Sequence, residues 1–156
     1  MIQGNILLIE VYVDDIIFGS DFDKLSHKFA KDMHNEFKMS LLEELSFFSG
    51  LQIHQRNQGI FISQTKYIRE MLKRFGMEDC KPVITPMQTS CKLRKDDDSK
   101  STDQRKYRSM IGSLLYVTTF KPDVMQTVGQ VARFQAEPKE SHVLAVNMIF
   151  RYLKGT

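Results

Sequence analysis

The sequence has few of the features that mark disulfide-rich, zinc-binding or membrane proteins. Its 156 residues include only two cysteines, Cys80 and Cys91, which are not spaced as a CxxC pair. This spacing argues against a disulfide framework and against a zinc site. The longest apolar run, residues 6–9, ends at Glu10 and is far shorter than the ~20 residues that a membrane span requires. The first residues lack the basic stretch of a secretory signal, so we expect an intracellular protein, cytoplasmic or nuclear, with no membrane partner.

Acidic and basic residues are nearly balanced in number but unevenly distributed. The formal net charge is +3, from 22 basic and 19 acidic side chains. Residues 104–156 carry eight basic and three acidic side chains, whereas residues 1–103 carry 14 and 16. A basic half is compatible with a surface that contacts phosphate groups, although solvated helix faces are the simpler explanation of the same charges.

The first 62 residues predict a hairpin, a helix and a second hairpin. Two β-prone runs at residues 6–13 and 16–18 flank Asp14 and Asp15, which tolerate left-handed backbone. Apolar residues at helical spacing then predict a helix of about four turns between residues 22 and 37. Residues 47–56 alternate apolar and polar side chains as one half-buried strand does, and a turn leads to a return strand at residues 60–62.

The remainder of the sequence predicts helices. Apolar residues at helical spacing indicate one helix that ends at Gly76 and three more after residue 103. Between them, residues 77–101 hold Pro82, Pro86 and a charged run, which predicts an exposed connection. Strands early and helices late make the predicted fold class α+β.

Asp14 and Asp15 are the pair of residues with the clearest chemical potential. At the tip of an apolar hairpin neither carboxylate can be buried in a core. Along a regular strand Asp14 would share one face with Glu10 and Tyr12. Two carboxylates held close together repel each other unless a cation lies between them, and oxygen ligands suit Mg²⁺ or Mn²⁺. Two such ions about 4 Å apart would promote nucleotidyl transfer. From the dipeptide alone, an ordinary polar turn is the simpler interpretation.

Six segments of the chain resemble one family of polymerases. Tyr12-Val13-Asp14-Asp15 resembles the Tyr-x-Asp-Asp signature of reverse transcriptases. Five further segments are similar to copia-type retrotransposon Pol polyproteins and follow in that family's order. They are FFSGLQI (47–53), GIFISQTKY (59–67), GMEDCKP (76–82), YRSMIGSLLY (107–116) and RYLKGT (151–156). One short motif is a weak signal, whereas six ordered segments across nearly the whole chain are a specific one.

The resemblance implies part of an RNA-directed DNA polymerase with a partial palm and a thumb-like region. Residues 1–62 would be the C-terminal half of the palm, with the Tyr-Val-Asp-Asp hairpin and a primer-grip-like strand. Residues 63–156 would be the thumb-like helical region. Asp14 and Asp15 would be the catalytic metal ligands, for two Mg²⁺ (or Mn²⁺) ions that only a complete palm would hold. The substrates implied are an RNA or DNA template–primer duplex and deoxynucleotides.

The resemblance also implies contacts to nucleic acid. Tyr12 and Val13 would lie beside the incoming nucleotide and the primer end. Phe48, Gly50 and Leu51 would hold the primer terminus, and a glycine within a strand fits close backbone approach, although a bulge explains it equally well. The basic residues that would contact the nucleic-acid backbone are Arg105, Lys106, Arg108 and Lys121. For each of these four taken singly, surface solvation is the simpler role.

The chain also departs from the family. The family's palm requires another aspartate upstream of the hairpin, fingers that hold the template, and a ribonuclease H domain downstream, and residues 1–156 supply none of them. Phe120-Lys121-Pro122-Asp123 stands where the family has Ser-Arg-Pro-Asp, and Ser49 stands where leucine is common. We therefore expect the isolated chain to be inactive and its incomplete sheet to expose an edge. The alternative function is that of a non-catalytic remnant that binds nucleic acid or a partner protein.

The histidines and cysteines predict no further site. The histidines are scattered and we expect them to be surface residues rather than metal ligands. They are His27, His34, His54 and His142. Cys80 and Cys91 are expected to be reduced thiols.

Overall fold

The computed structural model describes residues 4–41, 45–88, 93–95 and 98–156. Cys91 and two residues of the charged run, Asp96 and Asp97, lie outside these ranges. The chain forms two compact units, Met1–Leu45 and Ser46–Thr156, and both contain helices and antiparallel strands. This mixture agrees with the predicted α+β class. The palm and thumb assignments, with their boundary at residue 62, stay predictions. No helix in the described ranges is long and apolar enough to cross a membrane.

The first unit is a hairpin followed by a helix. Strands β1 (Leu7–Tyr12) and β2 (Asp15–Ser20) pair antiparallel, and helix α1 spans Asp23–Glu36, close to the predicted four turns. The helix packs on β2 through Phe18 and Phe29, whose ring centroids lie 5.0 Å apart at an interplanar angle of 66°. The Ser20 hydroxyl donates to the carbonyl of Phe22 (2.7 Å), and no side chain in the described part of the unit caps α1.

Water reaches both faces of this first hairpin. None of the described residues of the first unit is buried, and Leu8 and Val11 on opposite faces of β1 are 71% and 63% exposed. A two-stranded sheet is marginally stable in water unless further strands or helices cover an apolar face. The apolar faces of β1 and β2 therefore have the composition of a sheet that packs against more structure than this unit contains.

The second unit begins with a three-stranded antiparallel sheet in the order β3-β4-β5. Its strands are β3 (Phe47–Phe48), β4 (Leu51–Arg56) and β5 (Gly59–Ser63). The prediction of one strand over residues 47–56 is wrong, because the chain reverses at Ser49 and Gly50 and Phe48 pairs with Leu51. The second turn lies at residues 57–58, where it was expected, and Arg56 pairs with Gly59.

Four helices complete the second unit. They are α2 (Thr65–Arg74), α3 (Gln104–Val117), α4 (Met125–Ala132) and α5 (Glu140–Lys154), and a 3₁₀ turn at Pro122–Val124 precedes α4. Helix α5 is central, since Val146, Ile149 and Phe150 are fully buried at the spacing of one helix face. The ring of Phe150 stacks on that of Phe75, with centroids 5.4 Å apart. A continuous apolar core thus fixes α2, α3, α4 and α5 to one another.

The ends of two helices follow local sequence signals. Gly76 adopts φ +69°, and its N–H donates to the Lys73 carbonyl (3.1 Å) while the Met77 N–H donates to the Leu72 carbonyl (2.8 Å). These two bonds are the Schellman motif, in which glycine accepts the left-handed conformation at little cost. The carboxylate of Asp103 accepts from two backbone N–H groups at the start of α3 (2.8 and 3.1 Å).

The prediction that all four histidines are surface residues is wrong for His142. Its side chain is fully buried and stacks on Phe134, with ring centroids 3.9 Å apart. Its Nδ1 accepts from the Lys139 N–H (3.0 Å), so its Nε2 carries the proton that is donated to the Arg94 carbonyl (3.0 Å). The hydrogen bond to Arg94 joins residues 48 positions apart, and the sequence alone did not indicate this contact.

Candidate active site

The turn between β1 and β2 consists of Val13 and Asp14. The two strands remain paired as far as Tyr12 and Asp15, so Asp15 is the first residue of β2 and not part of the turn. The expectation that Asp14 and Asp15 together form the turn is therefore off by one residue. The left-handed conformation falls on Val13, with φ +52°, rather than on an aspartate.

Val13 makes this turn a strained one. A β-branched residue at positive φ is a steric outlier that costs about 1–2 kcal/mol. Its side chain is 81% exposed, so little packing of its own offsets that cost. Strained backbone is concentrated at functional sites, where a geometry is held that the local sequence would not choose. The strain lies directly before the two aspartates.

The register decides which side chains share a face of the hairpin. Directly paired residues of an antiparallel sheet project to the same side, so Tyr12 and Asp15 lie together on one face, next to Glu10. The opposite face carries Phe18, which contacts α1. The expectation that Glu10, Tyr12 and Asp14 share one face is therefore wrong for Asp14, because Asp15 lies on that face instead. Both aspartates are exposed, and Tyr12 is 53% exposed.

The two aspartates fit part of the ligand set of a divalent cation. Exposed carboxylates on a hairpin are hard oxygen donors, and Mg²⁺ is commonly bound by one or two carboxylates together with water and substrate phosphates. Among the described residues, no group of three or more His, Cys, Asp or Glu side chains is close enough to hold a metal ion. Asp14 and Asp15 therefore need oxygen donors from water, substrate or other protein segments to complete a metal site.

The primer-grip-like segment is the tip of the hairpin formed by β3 and β4. Ser49 and Gly50 make a two-residue turn in which both φ angles are positive, +47° and +85°. Such turns match the twist of the strands they join and require positive φ at both positions. Gly50 was expected either within a strand or at a bulge. It occupies neither position, because it is the second residue of this turn. Phe48 and Leu51 flank the turn as a cross-strand pair.

Tyr116 of α3 contacts this turn. Its hydroxyl donates to the Ser49 carbonyl, and a Cβ atom on Gly50 would lie 3.1 Å from the same hydroxyl. The ring of Tyr116 lies 4.6 Å from that of Tyr67, and its carbonyl accepts from Gln64 Nε2 (3.1 Å). The sequence did not reveal this contact, because it joins residues 67 positions apart. The one indication in the sequence was that Tyr116 ends YRSMIGSLLY, a segment that resembles the retrotransposon family.

The four candidate backbone-contacting residues do not form one group. Arg105, Lys106 and Arg108 are exposed on the first turns of α3, and Arg108 Nε donates to the Gln135 carbonyl (3.1 Å). Lys121 follows the other end of α3, about 20 Å away at 1.5 Å per helical residue. Its Nζ donates to Thr156 Oγ1 (2.9 Å). The only ion pair in the described ranges joins Lys139 to a glutamate. None of the four residues therefore forms an ion pair with a carboxylate of the described residues.

Comparisons with known proteins agree on one family. The family model described as reverse transcriptase (RNA-dependent DNA polymerase) matches residues 2–89. The chain is 36% identical over 152 residues to the retrovirus-related Pol polyprotein from transposon RE1 of Arabidopsis thaliana, covering 97% of this chain and 10% of the polyprotein. It is 32% identical to the Pol polyprotein from transposon TNT 1-94 of Nicotiana tabacum, covering 99% and 12%.

A shorter relative also matches over most of the chain. An uncharacterized mitochondrial protein of Arabidopsis thaliana is 34% identical, over 94% of this chain and 60% of its own length. No solved structure matches the chain. The chain spans about a tenth of the Pol polyproteins that it resembles.

Proposed function

Because the chain belongs to the reverse transcriptase (RNA-dependent DNA polymerase) family, we propose that it supplies the nucleotidyl-transfer hairpin of a copia-type retrotransposon polymerase. The observation that carries the proposal is the hairpin turn itself. It presents Asp14 and Asp15 to solvent at the end of two apolar strands, next to a strained backbone position. The corresponding reaction joins a deoxynucleotide to the 3′ end of a primer paired with a template.

Asp14 and Asp15 would hold Mg²⁺ or Mn²⁺ in this reaction. When bound, a pair of such ions activates the attacking hydroxyl and neutralises charge on the leaving pyrophosphate. Tyr12 shares a face with Asp15, so its aromatic ring would position the nucleotide or primer end beside the carboxylates. Val13, exposed at the turn, would contact the same substrate.

The hairpin tip of the second unit and the basic residues of α3 would hold nucleic acid. Phe48, Gly50 and Leu51 would support the primer terminus, and the turn at Gly50 lets a ligand approach the backbone closely because no side chain intervenes. The side chains available for sequence-independent contacts to phosphates are Arg105, Lys106, Arg108 and Lys121. Their lack of carboxylate partners in the described ranges supports this role.

We expect the 156-residue chain alone to be inactive as a polymerase. Two carboxylates leave most of the coordination of two metal ions to other groups. The uncovered apolar faces of the first hairpin indicate that its geometry depends on further structure. Primer extension on an RNA template with Mg²⁺ is therefore expected to give no incorporation, and more than trace incorporation would contradict this expectation.

Metal binding by the turn can be tested separately from catalysis. Mn²⁺ added to the isotopically labelled chain should broaden the amide signals of residues 13–16 selectively, because paramagnetic relaxation falls steeply with distance. Asp14→Asn and Asp15→Asn should each reduce the broadening. Asp32→Asn on the exposed face of α1 is the matched control and should not. Broadening that both turn variants leave unchanged would contradict the proposed site.

The alternative is a non-catalytic protein that binds nucleic acid. The matching segment makes up 60% of the shorter mitochondrial relative but only about a tenth of a Pol polyprotein, so it also occurs outside a full-length polyprotein. Duplex binding through phosphates releases counterions, so its affinity should fall steeply as salt is raised. Salt-sensitive binding by the chain, together with absent incorporation when the chain replaces the matching segment of a Pol polyprotein, would favour this alternative over the polymerase.

A further inference from the structure

A cavity of about 590 Å³ lies within the second unit, beside the N-terminal end of α2. Strand β5, the first turns of α2, the segment at residues 120–121 and the C-terminal end of α5 form its walls. This volume is in the range that accommodates small organic ligands. All residues that line the cavity belong to the second unit, and of the residues considered so far as nucleic-acid contacts they include only Lys121.

Three cationic side chains line the cavity, Arg69, Lys121 and Lys154. Lys121 Nζ donates to Thr156 Oγ1, and Lys154 Nζ donates to the carbonyl of Glu78, so these two ammonium groups are held in place by neutral acceptors. None of the three forms an ion pair with a carboxylate of the described residues. One acidic side chain, that of Glu78, is found among the described lining residues, so the cavity is positively charged overall.

The helix end at the cavity adds to this positive potential. The first turn of α2 directs its backbone N–H groups toward the N-terminal side. The Lys66 N–H donates to Gln52 Oε1 (2.8 Å), whereas the side chain of the N-cap residue Gln64 makes no capping hydrogen bond. Helix N-termini favour anions because of these N–H groups and the aligned peptide dipoles. The N-terminal end of α2 and the three cations are therefore complementary to one kind of ligand group, an anion.

Gln64 provides a second, independent indication of a ligand. This N-cap residue lines the cavity, and only 4% of its surface is exposed. Its Nε2 donates to the Tyr116 carbonyl, which fixes the orientation of the amide, whereas its Oε1 finds no donor among the described residues. A buried acceptor without a donor costs about 1–3 kcal/mol. A ligand that carries an O–H or N–H group could satisfy it.

The cavity also has an aromatic side. Phe61 and Phe120 line it, and their side chains are 62% and 41% exposed. Exposed aromatic rings next to cationic side chains are the combination that binds nucleotides without sequence preference, since bases stack on rings while phosphates contact the charges.

We propose that this cavity binds one nucleotide, either free or within a single strand of nucleic acid. The phosphate would contact Arg69, Lys121 and Lys154, and the base would stack on Phe61 or Phe120. A hydroxyl of the sugar or an N–H of the base would donate to Gln64 Oε1. The proposal does not depend on polymerase activity, because it uses neither Asp14 nor Asp15 and shares only Lys121 with the proposed polymerase contacts.

Binding can be measured on the 156-residue chain by calorimetry and by amide chemical shifts, with three probes. The probes are deoxyadenosine monophosphate, an octamer of deoxyadenosine and inorganic phosphate. The proposal predicts saturable binding of the first two and at least tenfold weaker binding of phosphate. Tighter binding of the octamer would identify a strand as the ligand, and equal binding would identify a free nucleotide. Equal affinity for inorganic phosphate and the mononucleotide would overturn the nucleotide assignment.

Variants locate the binding in this cavity. Arg69→Gln and Phe61→Ala should each weaken mononucleotide binding at least fivefold, while the charge-conserving Arg69→Lys should weaken it less. Lys73→Gln, on the same helix but outside the cavity, is the matched control and should change the affinity less than twofold. Thermal melting confirms that each variant is folded. Unchanged affinity in folded Arg69→Gln and Phe61→Ala, or no saturable binding at millimolar nucleotide, would overturn the proposal.

Discussion

Replacing Gly50 by alanine tests the geometry of the primer-grip-like hairpin. At φ +85° an L-residue costs about 1–2 kcal/mol more than glycine. The added Cβ would also lie 3.1 Å from the Tyr116 hydroxyl, which must shift and weaken its bond to the Ser49 carbonyl. Losing that bond costs about 1 kcal/mol. Gly50→Ala should therefore lower the free energy of unfolding of the chain by about 2–3 kcal/mol.

A double-mutant cycle separates the two contributions. In the Tyr116→Phe background the hydroxyl is absent, so Gly50→Ala should cost about 1 kcal/mol less than in the wild type. Urea unfolding followed by far-ultraviolet circular dichroism measures all four proteins. Gly112→Ala is the matched control, because its Cβ would meet no described atom within 4 Å and alanine should stabilise helix α3 by about 0.5–1 kcal/mol. Equal effects of Gly50→Ala and Gly112→Ala, or zero coupling with Tyr116, would refute the reasoning.

Three further substitutions test the helical unit. His142→Ala removes a fully buried ring stacked on Phe134 and leaves two backbone groups without partners, so urea unfolding should show a loss of about 3 kcal/mol. Asp103→Ala removes the N-cap of α3 and should cost about 1 kcal/mol in the same assay. Burial raises the pKa of Tyr107 above its ordinary value of 10.0, so unfolded tyrosine ionises first and stability falls as the pH rises above 10. Tyr107→Phe loses the hydrogen bond to the Val131 carbonyl (2.8 Å), so its free energy of unfolding should be lower than that of the wild type. Because the variant has no ionisable hydroxyl at this position, this deficit should shrink as the pH rises above 10. A pH-independent deficit would contradict this explanation.

The sequence predicted the elements whose pattern is local. Apolar spacing predicted the bounds of α1 and the end of α2 to within a few residues and predicted three helices after residue 103, and the paired β-prone runs predicted the first hairpin. The glycine at residue 76 marked the end of α2 because the left-handed position after a helix favours that residue. These features depend on interactions within a few residues of the chain, which a single sequence displays directly.

The features that were missed depend on register or on distant residues. Alternation of apolar and polar residues continues across Ser49 and Gly50, so one strand and two strands joined by a tight turn give the same pattern. The first turn was predicted at Asp14 and Asp15, one residue away from its position at Val13 and Asp14, because aspartate tolerates left-handed backbone better than valine does. The burial of His142 is determined by partners at positions 94 and 134 and has no local signal.

The candidate site was found through its motif rather than through its geometry. Two adjacent aspartates in a turn are common, and only the ordered set of similar segments separated a catalytic interpretation from a polar turn. The structure adds that Asp15, rather than Asp14, shares a face with Tyr12. This distinction gives the two carboxylates different surroundings, so their substitutions need not have equal effects.

The most direct test of the account is primer extension by a grafted polymerase. This chain would replace the matching 152-residue segment of the Pol polyprotein from transposon RE1, to which it is 36% identical. We expect the grafted protein to extend a primer on an RNA template with Mg²⁺, and Asp14→Asn or Asp15→Asn to lower the rate at least about 100-fold. Asp32→Asn is the control and should leave the rate unchanged. A folded graft that extends primers equally well with either turn aspartate replaced would contradict the central claim.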